Sequence, residues 1–442
     1  MARLSVIGTG YLGVTHSACM ASLGHQVIAL DIDVSKISSL AAGKVPFHEP
    51  GLPELLSSAL ESGKLEFTTS WEQLASQADV HFLCVGTPQS DSSGAADLGQ
   101  IQAAVASLAP LLTKPCLVVG KSTVPVGTAK WIADYFANNA PAGSGVHVVW
   151  NPEFLREGFA VQDTLHPDRI VLGVTNNSDV EVVREIYASA LTDNTPLVVT
   201  DFATAELVKV AANAFLATKI SFINAFADLA DVVGADIGTL ADAIGYDARI
   251  GRKFLNAGIG FGGGCLPKDI RALQARADEL GVATQFEFLK NVDAVNQSRR
   301  ARVIELAVAA LAGDVAGKTI AVLGAAFKPD SDDIRDSPAL DIAVALAHAG
   351  AKVKVHDPVA LPQVRIKDHS ITTVEDIEAV FVAADLVLHL TEWPEYRNLN
   401  VKELAKVVAQ PKIIDGRNVL DRDLWSSAGW HITYLGKPGS PT

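Results

Sequence analysis

The stretch Arg3-Leu4-Ser5-Val6-Ile7-Gly8-Thr9-Gly10-Tyr11-Leu12-Gly13 decides the fold. An apolar run ending in Gly8-Thr9-Gly10-Tyr11-Leu12-Gly13 predicts a buried strand, a tight glycine turn and a helix opening on the last glycines. Glycines at those places let the backbone approach a pyrophosphate, which then sits at the positive end of the helix. Taken alone, the same pattern also fits a strand-to-helix turn without a ligand. Asp31 sharpens it, standing 18 residues after Gly13 at the end of the next apolar run. A carboxylate there accepts hydrogen bonds from a ribose 2′-hydroxyl and repels a 2′-phosphate, which favours NAD over NADP.

Outward from this stretch, apolar runs of strand length recur as VIG at 6–8, VIAL at 27–30, VHFLCV at 80–85, CLVVG at 116–120 and VHVVW at 146–150. They alternate with Ala-rich helical segments, the pattern of a parallel sheet covered on both faces. The expected fold class is α/β, doubly wound. From Thr200 to Val233 no Pro or Gly interrupts an Ala-rich segment that predicts one helix of roughly 50 Å, a connecting spine. Near residue 318 the strand-and-helix rhythm restarts with KTIAVLGAAFKPDSDD, a helix opening at Ser337-Pro338 and the strand AKVKVHDP, so that Asp31 and Asp357 each end a second strand. Two Rossmann-like domains, at 1–199 and 313–442, are expected to flank a helical region at 200–312. The tail GKPGSPT is expected to fray.

Composition narrows the function classes. Of 442 residues 49% are hydrophobic and 19% charged, enough apolar content to bury real cores. The 36 Lys and Arg against 50 Asp and Glu give a net charge of −14, which argues against general nucleic-acid or anionic-membrane binding, so an anionic ligand needs a local pocket. Four scattered cysteines suit a reducing compartment and give neither a disulfide framework nor a Cys-based metal site. No secretory leader pattern opens the chain, and no stretch of about 18 uninterrupted apolar residues occurs. A soluble, cytoplasmic protein without metal is expected.

Three constellations carry chemistry. Lys209 and Asn213 lie four apart, on one face of the long helix, where they either polarise an oxyanion together or form a solvated face. Glu153 and Glu157, in NPEFLREG, follow a strand's carboxyl end, where they either handle protons or supply an acidic first helical turn. In Gly258-Ile259-Gly260-Phe261-Gly262-Gly263-Gly264-Cys265-Leu266-Pro267-Lys268-Asp269, five glycines in seven residues let a backbone pass close to a ligand. Pro267 suits the first helical position, which puts Cys265 just before a helix N-terminus with Lys268 near, a setting that favours a thiolate. Asp269, four residues on, is placed to act as base. Cys19, Cys84 and Cys116 read as buried and inert. A dinucleotide site with a nucleophilic cysteine implies oxidation of an alcohol through an aldehyde and a thioester to an acid.

The chain resembles the UDP-glucose/GDP-mannose dehydrogenases over essentially its whole length, through GTGYLG, VGTP at 85–88, KSTVPVGT at 121–128, NPEFLREG at 151–158, GFGGGCLPKD at 260–269 and FKPDSDDIRDSP at 327–338. The resemblance implies oxidation of a nucleotide sugar's hydroxymethyl group to a carboxylate with two NAD⁺, two Rossmann-like domains and a homodimer through the central helix. It matches Cys265 to the nucleophile and Asp269 to the base, through a water that Thr123 also holds. Lys209 and Asn213 match the oxyanion pair. Glu153 matches the glutamate of thioester hydrolysis or of control over the adjacent lysine, and Glu157 one near cofactor and sugar. Cofactor contacts implied are Gly8, Gly10, Tyr11, Leu12, Gly13, Asp31, Lys36, Val85, Gly86, Thr87, Pro88, Ser122, Thr123, Glu157, Cys265 and Arg335. Those to the sugar are Glu153, Phe154, Leu155, Glu157, Lys209, Asn213, Arg249, the backbone from Phe254 through Leu255, Asn256 and Gly258 to Gly262, Phe327, Lys328 and Arg417, with Arg249 reaching a neighbouring subunit. UDP-glucose is the expected substrate, with GDP-mannose or UDP-N-acetylmannosamine as alternatives. A β-hydroxyacid dehydrogenase or an NAD-binding regulator would need no Cys265. Gly264 departs from the family's usual Ser, a loss of one hydroxyl that activity should survive.

Overall fold

The computed structural model describes residues 1–90 and 94–437; residues 438–442, most of the tail expected to fray, lie outside them. Two compact units divide the chain, Met1–Ala212 with Arg271–Gly281 and Asn213–Ile270 with Val282–Thr442.

The first unit is built on β1 (Arg3–Ile7), β2 (Gln26–Leu30), β3 (Leu65–Thr68), β4 (Val80–Leu83), β5 (Cys116–Gly120), β6 (Val146–Trp150), β7 (Ile170–Gly173) and β8 (Leu197–Thr200). Their order is β3-β2-β1-β4-β5-β6-β7-β8. The first six strands are parallel, and β7 joins β6 antiparallel at Trp150 and Gly173. Alternate residues face opposite sides: Leu4, Val6, Val27 and Ala29 enter one core and Ile7, Ile28, Leu30 and Leu83 the other. Both faces being buried, the strands read as continuous apolar runs rather than alternating ones. The chain reverses its order of laying down strands between β1 and β4, so a crevice opens at their carboxyl ends, where ligands of open α/β sheets bind.

The second unit repeats the plan with β9 (Thr319–Leu323), β10 (Lys352–His356), β11 (Thr372–Thr373), β12 (Leu386–His389), β13 (Lys412–Asp415) and β14 (His431–Tyr434), ordered β11-β10-β9-β12-β13-β14. Ile320 and Val322 pack on one face and Ala321 and Leu323 on the other. The helix expected at Ser337-Pro338 runs Pro338–His348, its first turn capped by Ser337 Oγ, which accepts from Leu340 N. The α/β class with two doubly wound sheets is thus present.

The long helix is Phe202–Val233, 32 residues, starting two residues after the expected Thr200. By length and composition alone it could cross a membrane. Ala205, Ala217, Ile223, Ala227 and Ala230 along it are buried in the protein instead.

Candidate active site

In the first unit the glycine turn is shaped for an anion. Gly10 precedes the helix Tyr11–Ser22 without any side-chain cap, so the first-turn N–H groups point outward unclaimed by a side chain. Gly13 cannot carry a side chain, because a Cβ there would stand 1.8 Å from the carbonyl oxygen of Gly8. Asp31 Oδ2 accepts from Thr9 N at 3.0 Å, Thr9 Oγ1 at 2.8 Å and Lys36 Nζ at 2.9 Å, while Oδ1 accepts from Asp33 N at 3.1 Å. Burial opposes the carboxylate's charge, yet Lys36 and these donors outweigh it and hold its pKa below the ordinary value. An ionised Asp31 beside an open helix N-terminus fits the ribose and pyrophosphate of NAD.

The strand ends beside this turn are stitched together. Thr87 Oγ1 donates to the carbonyl oxygen of Thr123 at 2.7 Å, Ser122 Oγ to that of Val85 at 2.7 Å, and Gly86 N to Gln100 Oε1 at 3.1 Å. These bonds fix the VGTP and KSTV loops against each other at the ends of β4 and β5, with Pro88 closing the first loop.

Glu49, unnoticed in the sequence, is a central organiser. It is 2% exposed, accepts from Gly158 N and Ala160 N at 2.7 Å each, and receives the hydroxyl of Tyr11. Burial and Glu49 together push the Tyr11 phenol's pKa up, so it remains a donor. The glycine turn, with Leu12 on the helix behind it, is thereby tied to the segment carrying Glu157. That segment is irregular from Asn151 to Arg156, with the next helix at Ala160–Leu165, so Glu153 and Glu157 do not form an acidic first turn.

Glu153 folds back on its own loop, its Oε1 accepting from Phe154 N and Leu155 N at 2.5 Å each. Its Oε2 lies 3.4 Å from Lys121 Nζ. The Phe154 ring carries a cation on it: Arg169 Cζ lies 3.8 Å from its centroid, and Lys209 Nζ 5.5 Å. Lys209 is 8% exposed and, among the described residues, has no carboxylate within ion-pair distance. Burial of Lys209 and of Asn213, 7% exposed, excludes the solvated-face reading.

In the second unit the glycine-rich stretch is held from several sides. Gly258 N donates to Asn224 Oδ1 at 2.8 Å, and Phe261 N to Asn296 Oδ1 at 2.7 Å. Gly263, at φ +82°, would drive a Cβ to 2.8 Å from the Phe327 ring, so only glycine fits. At its end, Cys265 is exposed and outside any disulfide. The following helix is Leu266–Glu279, one residue earlier than expected, making Pro267 its second residue and Cys265 the cap, whose carbonyl accepts from Asp269 N at 2.9 Å. Asp269 is 2% exposed; Oδ2 accepts from Asn213 Nδ2 at 2.6 Å. Lys268 Nζ forms an ion pair with Oδ1 at 2.7 Å, and Oδ1 accepts no hydrogen bond.

The other expected residues are distributed as follows. Arg417 is engaged on three carbonyls, Leu390 at 2.7 Å, Phe327 at 3.0 Å and Gly260 at 3.2 Å, clasping the glycine-rich stretch to β12 and the loop after β9. Leu255 is buried and Phe254 takes a positive φ of 65°, while Asn256 receives Arg252. Lys328 Nζ sits 5.7 Å from the Phe327 ring. Arg335 pairs with Asp333, and its guanidinium occupies the space a side chain at residue 264 would take, 2.4 Å from a Cβ built there. Arg249 projects into solvent and pairs with Asp247. Cys19 and Cys84 are buried, their thiol pKa values pushed up by burial to about 12; Cys116 is only half-buried, at about 11. No cluster of metal ligands occurs among the described residues.

Fold and site together define a dinucleotide-binding α/β protein with an exposed cysteine capping a helix beside a buried carboxylate. The family models match in order: the NAD binding domain of the UDP-glucose/GDP-mannose dehydrogenase family at residues 2–191, its central domain at 203–298 and its UDP binding domain at 321–422. The chain belongs to this family, and its cofactor is NAD. It is 40% identical to UDP-glucose 6-dehydrogenase TuaD of Bacillus subtilis, over 99% of this chain and 94% of that protein, and 41% identical to the UDP-glucose 6-dehydrogenase of Rhizobium meliloti, over 99% and 100%. Among solved structures, a UDP-glucose dehydrogenase from Pyrobaculum islandicum superposes with TM-score 0.89 at 38% identity, covering 98% of each chain. A UDP-D-ManNAc dehydrogenase from Pyrococcus horikoshii gives 0.86 at 28% identity, covering 98% and 99%.

Proposed function

We propose that this chain oxidises UDP-glucose to UDP-glucuronate, consuming two NAD⁺ and one water per sugar and releasing two NADH and three protons. The observation that carries the reading is the exposed Cys265 at a helix start beside Asp269 and Asn213, in a chain 40% identical to UDP-glucose 6-dehydrogenases. The glycine turn Gly8–Gly13 and Asp31 would hold NAD⁺, which would supply the hydride acceptor for both oxidations. Asp269 takes the hydroxyl proton. Asn213 and Lys209 donate to the oxygen as negative charge develops on it. The Cys265 thiolate adds to the aldehyde carbon, forming the C–S bond that becomes a thioester after the second oxidation. Glu153 then takes a proton from the water that attacks the thioester, and the C–S bond breaks to restore the thiolate.

Residues 1–199 would hold the cofactor, 313–442 the UDP moiety, and 200–312 the cysteine loop and the dimer contact. An apolar stripe on the long helix supports a homodimer: Phe215, Phe222, Phe226, Leu229 and Val233 recur at spacings of 7, 4, 3 and 4 and are all exposed. Reduced cysteines suit the cytoplasm.

NADH release measured with UDP-glucose, GDP-mannose and UDP-N-acetylmannosamine tests the substrate. Two NADH per UDP-glucose, with the other sugars at least ~100-fold poorer in kcat/KM, is expected; one NADH per sugar, or preference for another sugar, overturns it. Cys265→Ala should lose turnover by about 10³-fold or more while still binding UDP-glucose.

A further inference from the structure

Lys121 is the first residue after β5, at the strand's carboxyl end, and only 4% exposed. Its ammonium meets Asn151 Oδ1 at 3.0 Å, Tyr187 Oη at 3.1 Å and Glu153 Oε2 at 3.4 Å, three acceptors for three hydrogens. Tyr187 passes its own hydrogen to Asn151 Oδ1 at 3.0 Å, so its lone pairs face the lysine. Asn151 Nδ2 donates to the carbonyl of Val171 at 3.0 Å, which fixes the amide with its oxygen toward Lys121. Burial opposes the charge, but Tyr187 and Glu153 outweigh it and hold the lysine's pKa above the ordinary value. Lys121 is therefore a permanent cation on a rigid mount. Of Glu153's oxygens, Oε1 is fully occupied by two backbone N–H groups, leaving Oε2 as the one that faces both the cation and its chemistry.

We propose that Lys121, seated on Asn151 and Tyr187, is the positioning residue and fixed counter-charge of Glu153, holding its Oε2 in place for the proton transfer of thioester hydrolysis. The inference rests on the reading of Glu153 as the group that takes the water's proton. In hydrolysis the water oxygen bonds to the thioester carbon, its proton goes to Glu153, and the pair of electrons in the C–S bond leaves on Cys265. The ammonium 3.4 Å from Oε2 holds that oxygen in one place while Oε1 is tied to the backbone. The titratable side chains around this pair are Cys19 and Cys84, whose pKa values burial raises, His16, whose pKa burial lowers, and Tyr187, also raised by burial, so all four are neutral at pH 7. Arg169 and Lys209 stand over the neighbouring Phe154 ring. Lys121 is the cation the structure places on the carboxylate itself.

Both oxidations precede hydrolysis, so rapid mixing with UDP-glucose and NAD⁺ separates the steps. Lys121→Met, which keeps the volume and removes the charge, should give a burst of two NADH per site and then turn over about 10²-fold more slowly. An acyl adduct should be visible in the intact mass. The rate of the burst itself and KM for UDP-glucose should stay within about twofold of wild type, a split that mere loosening of the fold would not produce. If Lys121→Met does not fold, Asn151→Asp places a second carboxylate on the same ammonium and should slow hydrolysis with the burst unchanged. Hydrolysis at the wild-type rate, or slowed together with the burst, refutes the assignment to Lys121. Glu153→Gln is the control for the underlying reading: normal hydrolysis by that variant refutes the role of Glu153 itself, whatever Lys121 does.

Discussion

Replacing Glu49 by Ala tests how the cofactor turn is held. The carboxylate is buried and serves Tyr11, Gly158 and Ala160 at once. On its removal Gly158 N keeps the Tyr11 hydroxyl at 2.9 Å and the half-buried Val161 N, 3.3 Å from Glu49 Oε1, can turn to water, but Ala160 N and the Tyr11 hydroxyl lose their acceptor. Each orphaned buried donor costs about 1–3 kcal/mol, so two of them cost about 4 kcal/mol. For a unit of some two hundred residues, roughly 2–4 °C per kcal/mol, the melting temperature should fall by about 8–16 °C. Glu49→Gln keeps one oxygen acceptor and turns an amide N–H₂ on a backbone N–H, and should lose about half as much. The assay is thermal unfolding of both variants, with KM for NAD⁺ read alongside, expected to rise about tenfold because Tyr11 belongs to the glycine turn. A melting temperature within 2 °C of wild type in Glu49→Ala would refute the reasoning.

Asp31→Asn removes the charge that faces a 2′-phosphate and should narrow the preference for NAD⁺ over NADP⁺ in kcat/KM by about tenfold or more; an unchanged ratio counts against the assigned ribose contact. Gly264→Ser should fold normally, since the clash is with the mobile end of Arg335, but raise KM for NAD⁺ two- to fivefold by displacing that guanidinium; a crystal structure with Arg335 unmoved would contradict it. Phe222→Glu with Leu229→Glu should shift the species seen by analytical ultracentrifugation from dimer to monomer, because both side chains lie on the exposed stripe; a retained dimer moves the interface elsewhere.

Much of this was legible in the sequence because the informative features are local. A glycine turn after an apolar run, an acid at the next strand's end and a cysteine before Leu-Pro each announce themselves within a dozen residues. The long helix was legible because nothing in it breaks a helix. Strands β3, β7, β8 and β11 to β14 were not identified, being at most four residues long and often ending in a polar residue such as His389 or Asp415, too short for periodicity to distinguish. Pairing was also invisible: Glu49 lies in an unremarkable HEPGL segment, yet reaches across more than a hundred residues to Gly158. Lys121 and Asn151 each open a motif right after a strand. That position is a usable signal, since it places a side chain at the binding edge of the sheet, but the spacing of 30 residues hides their contact.

Asp357 shows what became of the second copy of the plan. It ends β10 as Asp31 ends β2, yet its carboxylate is 1% exposed and accepts from five donors of its own unit, Ala325 N, Ala326 N, Val359 N, Ala360 N and Trp393 Nε1. An acid so saturated has become a rivet. Doubling the architecture therefore did not double the proposed address for a dinucleotide: Asp31 sits on the turn proposed to hold NAD, with Lys36 and Thr9 as partners, whereas Asp357 is internal fastening. The proposed ribose contact puts cofactor preference at residue 31 with no matching change at 357, and a redesign that treats the two as equivalent would dismantle a core instead of altering a specificity.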